Sequence, residues 1–223
     1  ETPTDGAVPV MTVAATDDDN DNGQIDRITI TFSEQVDITD GDNVTPGLPG
    51  FTVAGYTILG TDYSATDATQ LTLILQENGT PDTDATPLVT YDADGASSVV
   101  DNALSPNEMR DNEDVSAADA ATPVALSAQA NGTTLTITYS EDLNTPAPAA
   151  TAFSVTGTTS LTRAPDNATI LNNVVTLTLT TTPVVTGETV TVSYTAPGTN
   201  NLRDLVNNLA ANLTNFSVSN VTP

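Results

Sequence analysis

The feature that most constrains the fold is an alternation of aliphatic and hydroxyl-bearing residues. Residues 28–33 read Ile-Thr-Ile-Thr-Phe-Ser, and residues 135–140 read Leu-Thr-Ile-Thr-Tyr-Ser. Successive side chains of a strand point to opposite faces, so such a segment buries one face and leaves the other in water. Threonine, the commonest residue here, and the β-branched aliphatics favour strands. The pattern therefore predicts an all-β fold with no substantial helix.

The same order of segments occurs twice along the chain. Turns rich in Gly, Pro, Asn and Asp separate about seven strand-like segments per copy, a spacing typical of a β-sandwich. The sequence therefore predicts two tandem β-sandwich domains, residues 1–121 and 122–223. The matched segments are 28–34 with 135–141, 51–53 with 153–155, 71–75 with 175–179, and 88–91 with 192–194.

The composition excludes several classes of function. The chain carries 29 acidic and 4 basic residues, a formal charge of −25, which repels nucleic acid. No stretch is apolar enough to insert into a membrane. Cysteine and histidine are absent, so thiolate chemistry and a Ser-His-Asp triad are impossible, and we expect no enzyme. The acidity indicates adaptation to high salt, calcium loading, or both.

Residues 18–26, Asp-Asp-Asn-Asp-Asn-Gly-Gln-Ile-Asp, match the start of an EF-hand-type calcium loop. Alternate side chains of such a loop supply hard oxygen ligands at positions one, three, five and nine, and a backbone carbonyl serves at position seven. Gly23 permits the positive φ of the sharp turn, and Ile25 is expected in the core. The predicted Ca²⁺ ligands are Asp18, Asn20, Asn22, Gln24 and Asp26.

The loop departs from the EF-hand pattern at position twelve, where Thr29 stands in place of a bidentate acid. A further ligand must then come from Asp17 or from an acid of a neighbouring loop. The alternative is a solvated acidic hairpin without an ion. The second copy has Ala-Asn-Gly at residues 130–132, so the loop is specific to the first copy. A second group of acids at the end of the first copy either holds a further ion at the domain junction or is an ordinary acidic linker kept soluble by its charge. These acids are Asp101, Asp111, Glu113, Asp114 and Asp119.

The repeated segments resemble the immunoglobulin-like repeats of large bacterial surface proteins. They are similar in particular to the repeats of the cyanobacterial swimming-motility surface protein and of giant adhesins, most clearly over residues 123–219. The loop at residues 18–26 resembles the calcium loops of dockerins. These resemblances imply two immunoglobulin-like β-sandwiches in a secreted, calcium-rich, load-bearing or spacer module.

Our leading hypothesis is a calcium-stabilised extracellular structural or adhesion module of a cell-surface or S-layer protein. Its partners would be neighbouring repeats, copies of itself, or a cell-surface or glycan ligand. The alternative is a self-assembling filament subunit in which residues 7–14 or 215–220 pair with the sheet of the next copy. The terminal Pro223 stands where a third copy would begin, so we expect a longer array or end-to-end assembly. A glycan- or ice-binding domain ranks last.

Overall fold

The computed structural model describes residues 6–39, 50–62, 68–92, 98–158 and 162–223. The chain forms two compact units. The first contains Glu1–Asn20, Gln24–Thr80 and Ala85–Ala120, and the second contains Asp21–Gly23, Pro81–Asp84 and Ala121–Pro223. Within the described residues the only helical segment is a 3₁₀ turn at Ala150–Ala152, which the alternation did not predict. None of the described helical structure is long and apolar enough to cross a bilayer.

The described residues of the first unit form the strands β1 Met11–Asp17, β2 Arg27–Thr39, β3 Phe51–Val53, β4 Ile58–Asp62, β5 Ala68–Leu75, β6 Leu88–Tyr91, β7 Ser98–Asp101 and β8 Glu113–Ala118. They pair in the order β3-β6-β8-β1-β2-β5-β4, and β7 pairs with the far end of β2. Among these described strands all pairs are antiparallel except β1 with β8.

The described residues of the second unit form the strands β9 Ala125–Asn131, β10 Thr134–Tyr139, β11 Phe153–Gly157, β12 Thr162–Arg163, β13 Asn167–Leu171, β14 Val174–Thr178, β15 Val190–Tyr194 and β16 Leu213–Asn220. They pair in the order β12-β11-β15-β16-β9-β10-β14-β13. Strand β16 pairs parallel with β9.

The two units share their strand order, as the repeated segments predict. The path β3-β6-β8-β1-β2-β5-β4 corresponds strand for strand to β11-β15-β16-β9-β10-β14-β13. Each matched sequence segment lies on, or overlaps, the corresponding strand. The prediction of an all-β, sandwich-type fold is therefore confirmed, and the described residues form eight strands per unit where about seven were expected.

One-sided burial of the alternating strands builds the core of each unit. On β10, Leu135, Ile137 and Tyr139 are buried, while the threonines between them are only partly buried. The buried residues of β10 form one apolar cluster with residues of β11, β14 and β15. Strands from both ends of the pairing order therefore share one core. Burying each such side chain contributes about 1.5–3 kcal/mol.

A buried tyrosine binds the connection that leads to the last strand of each unit. The hydroxyl of Tyr91 accepts a hydrogen bond from the backbone amide of Val99 at 3.0 Å. The hydroxyl of Tyr194 accepts one from the backbone amide of Leu202 at 2.9 Å. Each ring also packs on a phenylalanine of the neighbouring strand. The connection therefore approaches the core at the same point in both copies.

The carboxylates of Asp101 and Asp204 organise the loops that follow. Oδ2 of Asp101 accepts the Asn107 side-chain amide at 2.6 Å, and Oδ2 of Asp204 accepts that of Asn208 at 2.7 Å. Each Oδ1 accepts two backbone amides, including that of the same asparagine. The Asn107 side chain is the main cause that lowers the pKa of Asp101, since it donates to the ionised form.

We expect Asp204→Asn to lower the free energy of unfolding of the second unit by about 3 kcal/mol, because a buried acceptor of three hydrogen bonds loses its charge. Urea denaturation measures the change. Asp142→Asn, which removes an exposed acid of the same unit, is the control. Equal effects of the two substitutions would contradict the anchoring role.

We expect Asp166 to make the second unit sensitive to acid. Hydrogen bonds donated by the hydroxyls of Thr180 and Thr181, both 2.7 Å, lower its pKa to about 2 from the ordinary 3.8. The folded state therefore gains stability that is complete above pH about 4 and is lost as the pH falls toward 2. Urea titrations across this range should show a shallower loss of stability for Asp166→Asn than for the wild type. An unchanged slope would contradict the assignment.

Candidate functional site

The predicted calcium loop is the hairpin connection between β1 and β2. Asp17 pairs with Arg27 in the register of these strands, so the nine residues 18–26 form the loop. The amide of Asp26 donates to the carbonyl of Asp17 at 3.1 Å and closes it. Gly23 has a φ of +89° and Ile25 is fully buried, as the motif predicts.

Asp26 is the side chain around which the first half of the loop turns. Its Oδ1 accepts the backbone amide of Asp19 at 3.0 Å, and its Oδ2 lies 3.2 Å from the side-chain nitrogen of Asn20. Positions two and three of the motif therefore fold back over position nine.

The five predicted ligands differ in exposure. The structure brings the side chains of Asn20 and Asp26 together. Asp18 is buried, Gln24 and Asp26 are partly buried, and Asn20 and Asn22 are exposed. Asn22 lies in the segment Asp21–Gly23, which belongs to the second unit.

Glu77 is an acid beside the loop that the motif did not identify. Its Oε1 lies 2.7 Å from the side-chain nitrogen of Asn20. Thr29 is not a substitute, since its hydroxyl bonds that of Thr72 on β5 at 2.9 Å. Because β5 runs antiparallel to β2, with Arg27 opposite Ile74, the residues after β5 meet the loop before β2. Strand pairing, and not spacing, is the signal that locates Glu77.

Negative charge accumulates around this loop with little basic compensation. Partial burial raises the pKa of Asp17, and the charges of Asp19 and Asp26 raise it further. Arg27 offsets part of this repulsion through an ion pair with Asp19 at 2.8 Å. A cation that bound here would relieve the remaining repulsion.

Of the acids proposed for a second ion, Asp101 has a defined set of partners in the structure. The Asp101 carboxylate already accepts three hydrogen bonds from its own loop. Glu113 and Asp114 are consecutive on β8 and therefore face opposite sides of the sheet. Asp101 is thus assigned a structural role.

Comparison with known families finds a match within the second copy. A family model described as "Putative flagellar system-associated repeat", the SWM repeat, matches residues 118–199. The match covers most of the second copy and a little over a third of the 223 residues. No curated protein matches the chain. Residues 118–199 are thus similar to a motility-associated repeat, in agreement with the resemblance of the sequence, and the first unit repeats the strand order of the second.

Substitution at Gly23 should test the close packing at the loop tip. A Cβ there would lie 2.7 Å from Cδ2 of Leu126 and 3.2 Å from Cβ of Ser140, all within the second unit. We expect Gly23→Ala to cost about 2–3 kcal/mol, from the positive φ and the overlap together. Gly55→Ala, at φ +84° with open space around it, should cost only about 1 kcal/mol. Equal losses of unfolding free energy for the two variants in denaturant titrations would contradict the prediction, because the contact of the new Cβ with Leu126 and Ser140 would then carry no cost.

Proposed function

We propose that the chain is a calcium-stabilised pair of immunoglobulin-like repeats that acts as a structural or adhesion module of an extracellular surface protein. The observation that carries the proposal is the match of residues 118–199 to a motility-associated repeat, combined with the same strand order in the first unit. In a protein built from such repeats, each additional repeat lengthens the protein by one folded unit.

The immunoglobulin-like assignment is supported by the strand pairing. In that fold, strands A, B, E and D form one sheet and strands C, F and G the other. Here β1, β2, β5 and β4 pair in the first order, and β3, β6 and β8 pair in the second. Strand β1 joins the two sets by pairing antiparallel with β2 and parallel with β8. The second unit follows the same scheme.

The calcium assignment is supported by the donor set of the loop. Asp18, Asn20 and Asp26 offer hard oxygens, and Glu77 adds the carboxylate that position twelve lacks. An ion would require the Asn20 side-chain oxygen, and not its nitrogen, to face Asp26 and Glu77; rotation of the amide exchanges the two atoms. Calcium would then replace repulsion between these acids with attraction to a common centre.

Calcium would stabilise the module by binding the folded loop alone. The unfolded loop holds no preformed set of ligands, so the free energy of binding adds to that of folding. A concentration 100-fold above the dissociation constant contributes about 2.7 kcal/mol. A surface module exposed to a calcium-rich medium would thus unfold less readily outside the cell.

The alternative, a filament joined by strand exchange, is less favoured by the pairing of the two candidate segments. Residues 11–14 lie in β1, which is paired on both sides within the first unit. Residues 215–220 lie in β16, which is paired on both sides within the second. Exchange of either segment would first break a central strand.

Thermal unfolding with EDTA and with added calcium tests the proposal. We expect calcium to raise the melting temperature of the first unit by about 10 °C or more, since 1 kcal/mol shifts a domain of this size by about 4–8 °C. The quantity compared is the increase caused by calcium, because substitutions in the loop also alter the ion-free protein.

Asp26→Asn should abolish most of that increase, whereas Asp62→Asn, which removes an exposed acid on β4, should preserve it. A wild-type melting temperature that is the same in calcium and in EDTA would refute the calcium assignment. The acidity would then be attributed to adaptation to salt.

A further inference from the structure

The second unit is completed by two short segments that precede it in the sequence, Asp21–Gly23 and Pro81–Asp84. The amide of Asp82 donates to the carbonyl of Gly23 at 3.0 Å and joins them. The Thr83 hydroxyl is fully buried and bonds that of Ser140 at 2.8 Å. Gly23 packs against Leu126 and Ser140. We call the surface around Leu126 and Ser140 the receiving surface.

The first unit has the corresponding surface in an exposed state, with Thr12 in the place of Leu126. Ser33 corresponds to Ser140: its amide donates to the carbonyl of Val10 at 2.9 Å, and its hydroxyl accepts the Val10 amide at 3.1 Å. Ser140 makes both bonds with Val124, each at 2.9 Å. The side chains of Ser33 and Thr12 are nevertheless exposed, whereas those of Ser140 and Leu126 are partly buried. The surface around Ser33 thus has the backbone hydrogen bonds of the surface around Ser140, but its side chains remain exposed.

The second copy carries a counterpart of the covering segments. Its β9–β10 turn holds Gly132, whose carbonyl accepts the amide of Val184 at 2.9 Å, just as that of Gly23 accepts Asp82. The next residue, Val185, occupies the place of Thr83 but is 59 % exposed. Val221 is 46 % exposed, and the neighbouring Asn220 binds the Val185 carbonyl. We call Gly132, Val185 and Val221 the covering surface.

We propose that the covering surface of one molecule docks on the corresponding surface around Ser33 of a second copy of this chain. Internal repetition supports this contact, because the equivalent joined pair of turns, Asp21–Gly23 and Pro81–Asp84, covers Ser140 within the second unit. The two surfaces differ from each other, so the contact is heterologous and each added molecule offers a new site. The product is an open head-to-tail chain in which every central strand stays in its own sheet.

The net charge of −25 opposes this association at low ionic strength. The Debye length falls from about 30 Å at 0.01 M salt to about 3 Å at 1 M, so added salt should strengthen the contact. An interface built on ion pairs would respond in the opposite direction.

Cysteine cross-linking tests the contact directly, because the chain has no cysteine of its own. Ser33→Cys and Val185→Cys molecules, one carrying a mass tag, are mixed under mild oxidation in high salt. We expect the mixed disulfide dimer to form several-fold faster than in a mixture of Ser33→Cys with Leu171→Cys. Leu171 is 75 % exposed and lies outside both surfaces, so it reports random collision. Equal rates in the two mixtures would overturn the proposal.

Sedimentation of uncross-linked protein is the second measurement. Val185→Asp should reduce association, whereas Leu171→Asp should leave it unchanged, because only the first introduces a charge into the covering surface. Association that is equally sensitive to both variants, or absent at every salt concentration, would also overturn the proposal. Neither measurement depends on calcium at residues 18–26, so the inference and the proposed function can fail separately.

Discussion

The structure depends on burial of one face only of each strand. A chain with 4 % aromatic residues and no cysteine has neither a large ring cluster nor a disulfide to stabilise it. It must therefore bury the aliphatic face of every alternating segment against another. The apolar cluster of the second unit, drawn from β10, β11, β14 and β15, shows how this is done. The opposite faces remain polar and can carry the acidic charge.

Equivalent buried polar residues give the two units the same path for the connection to the last strand. Tyr91 and Tyr194 bind the chain at equivalent points, and Asp101 and Asp204 then organise the loops that follow. Hydrogen bonds to buried charged groups are among the stronger ones in proteins, so they specify one path for a connection that burial alone would leave open. Sequence divergence is tolerated elsewhere, as at the turn between the first two strands of each copy, where the loop of nine residues in one becomes a tight Gly132 turn in the other.

The sequence predicts the sheets far better than it predicts the loops. Alternation located the strands around residues 28–33 and 135–140, because side-chain direction has a period of two. The motif also predicted the positive φ of Gly23 and the burial of Ile25. Glu77 was not predicted, since it reaches Asn20 only through the pairing of β5 with β2. The structural role of Asp101 was missed for the same reason: its partners become visible only when the loop is folded.

We propose calcium binding by oxygen atoms of residues 18–26 and Glu77. Its most direct test is a crystal structure of the protein grown with calcium and measured at a long wavelength, where calcium scatters anomalously. We predict an anomalous peak with six to eight oxygen neighbours at 2.3–2.6 Å, among them those of Asp18, Asn20 and Asp26. A well-ordered loop without such a peak, with Asn20 still donating to Asp26, would contradict the claim.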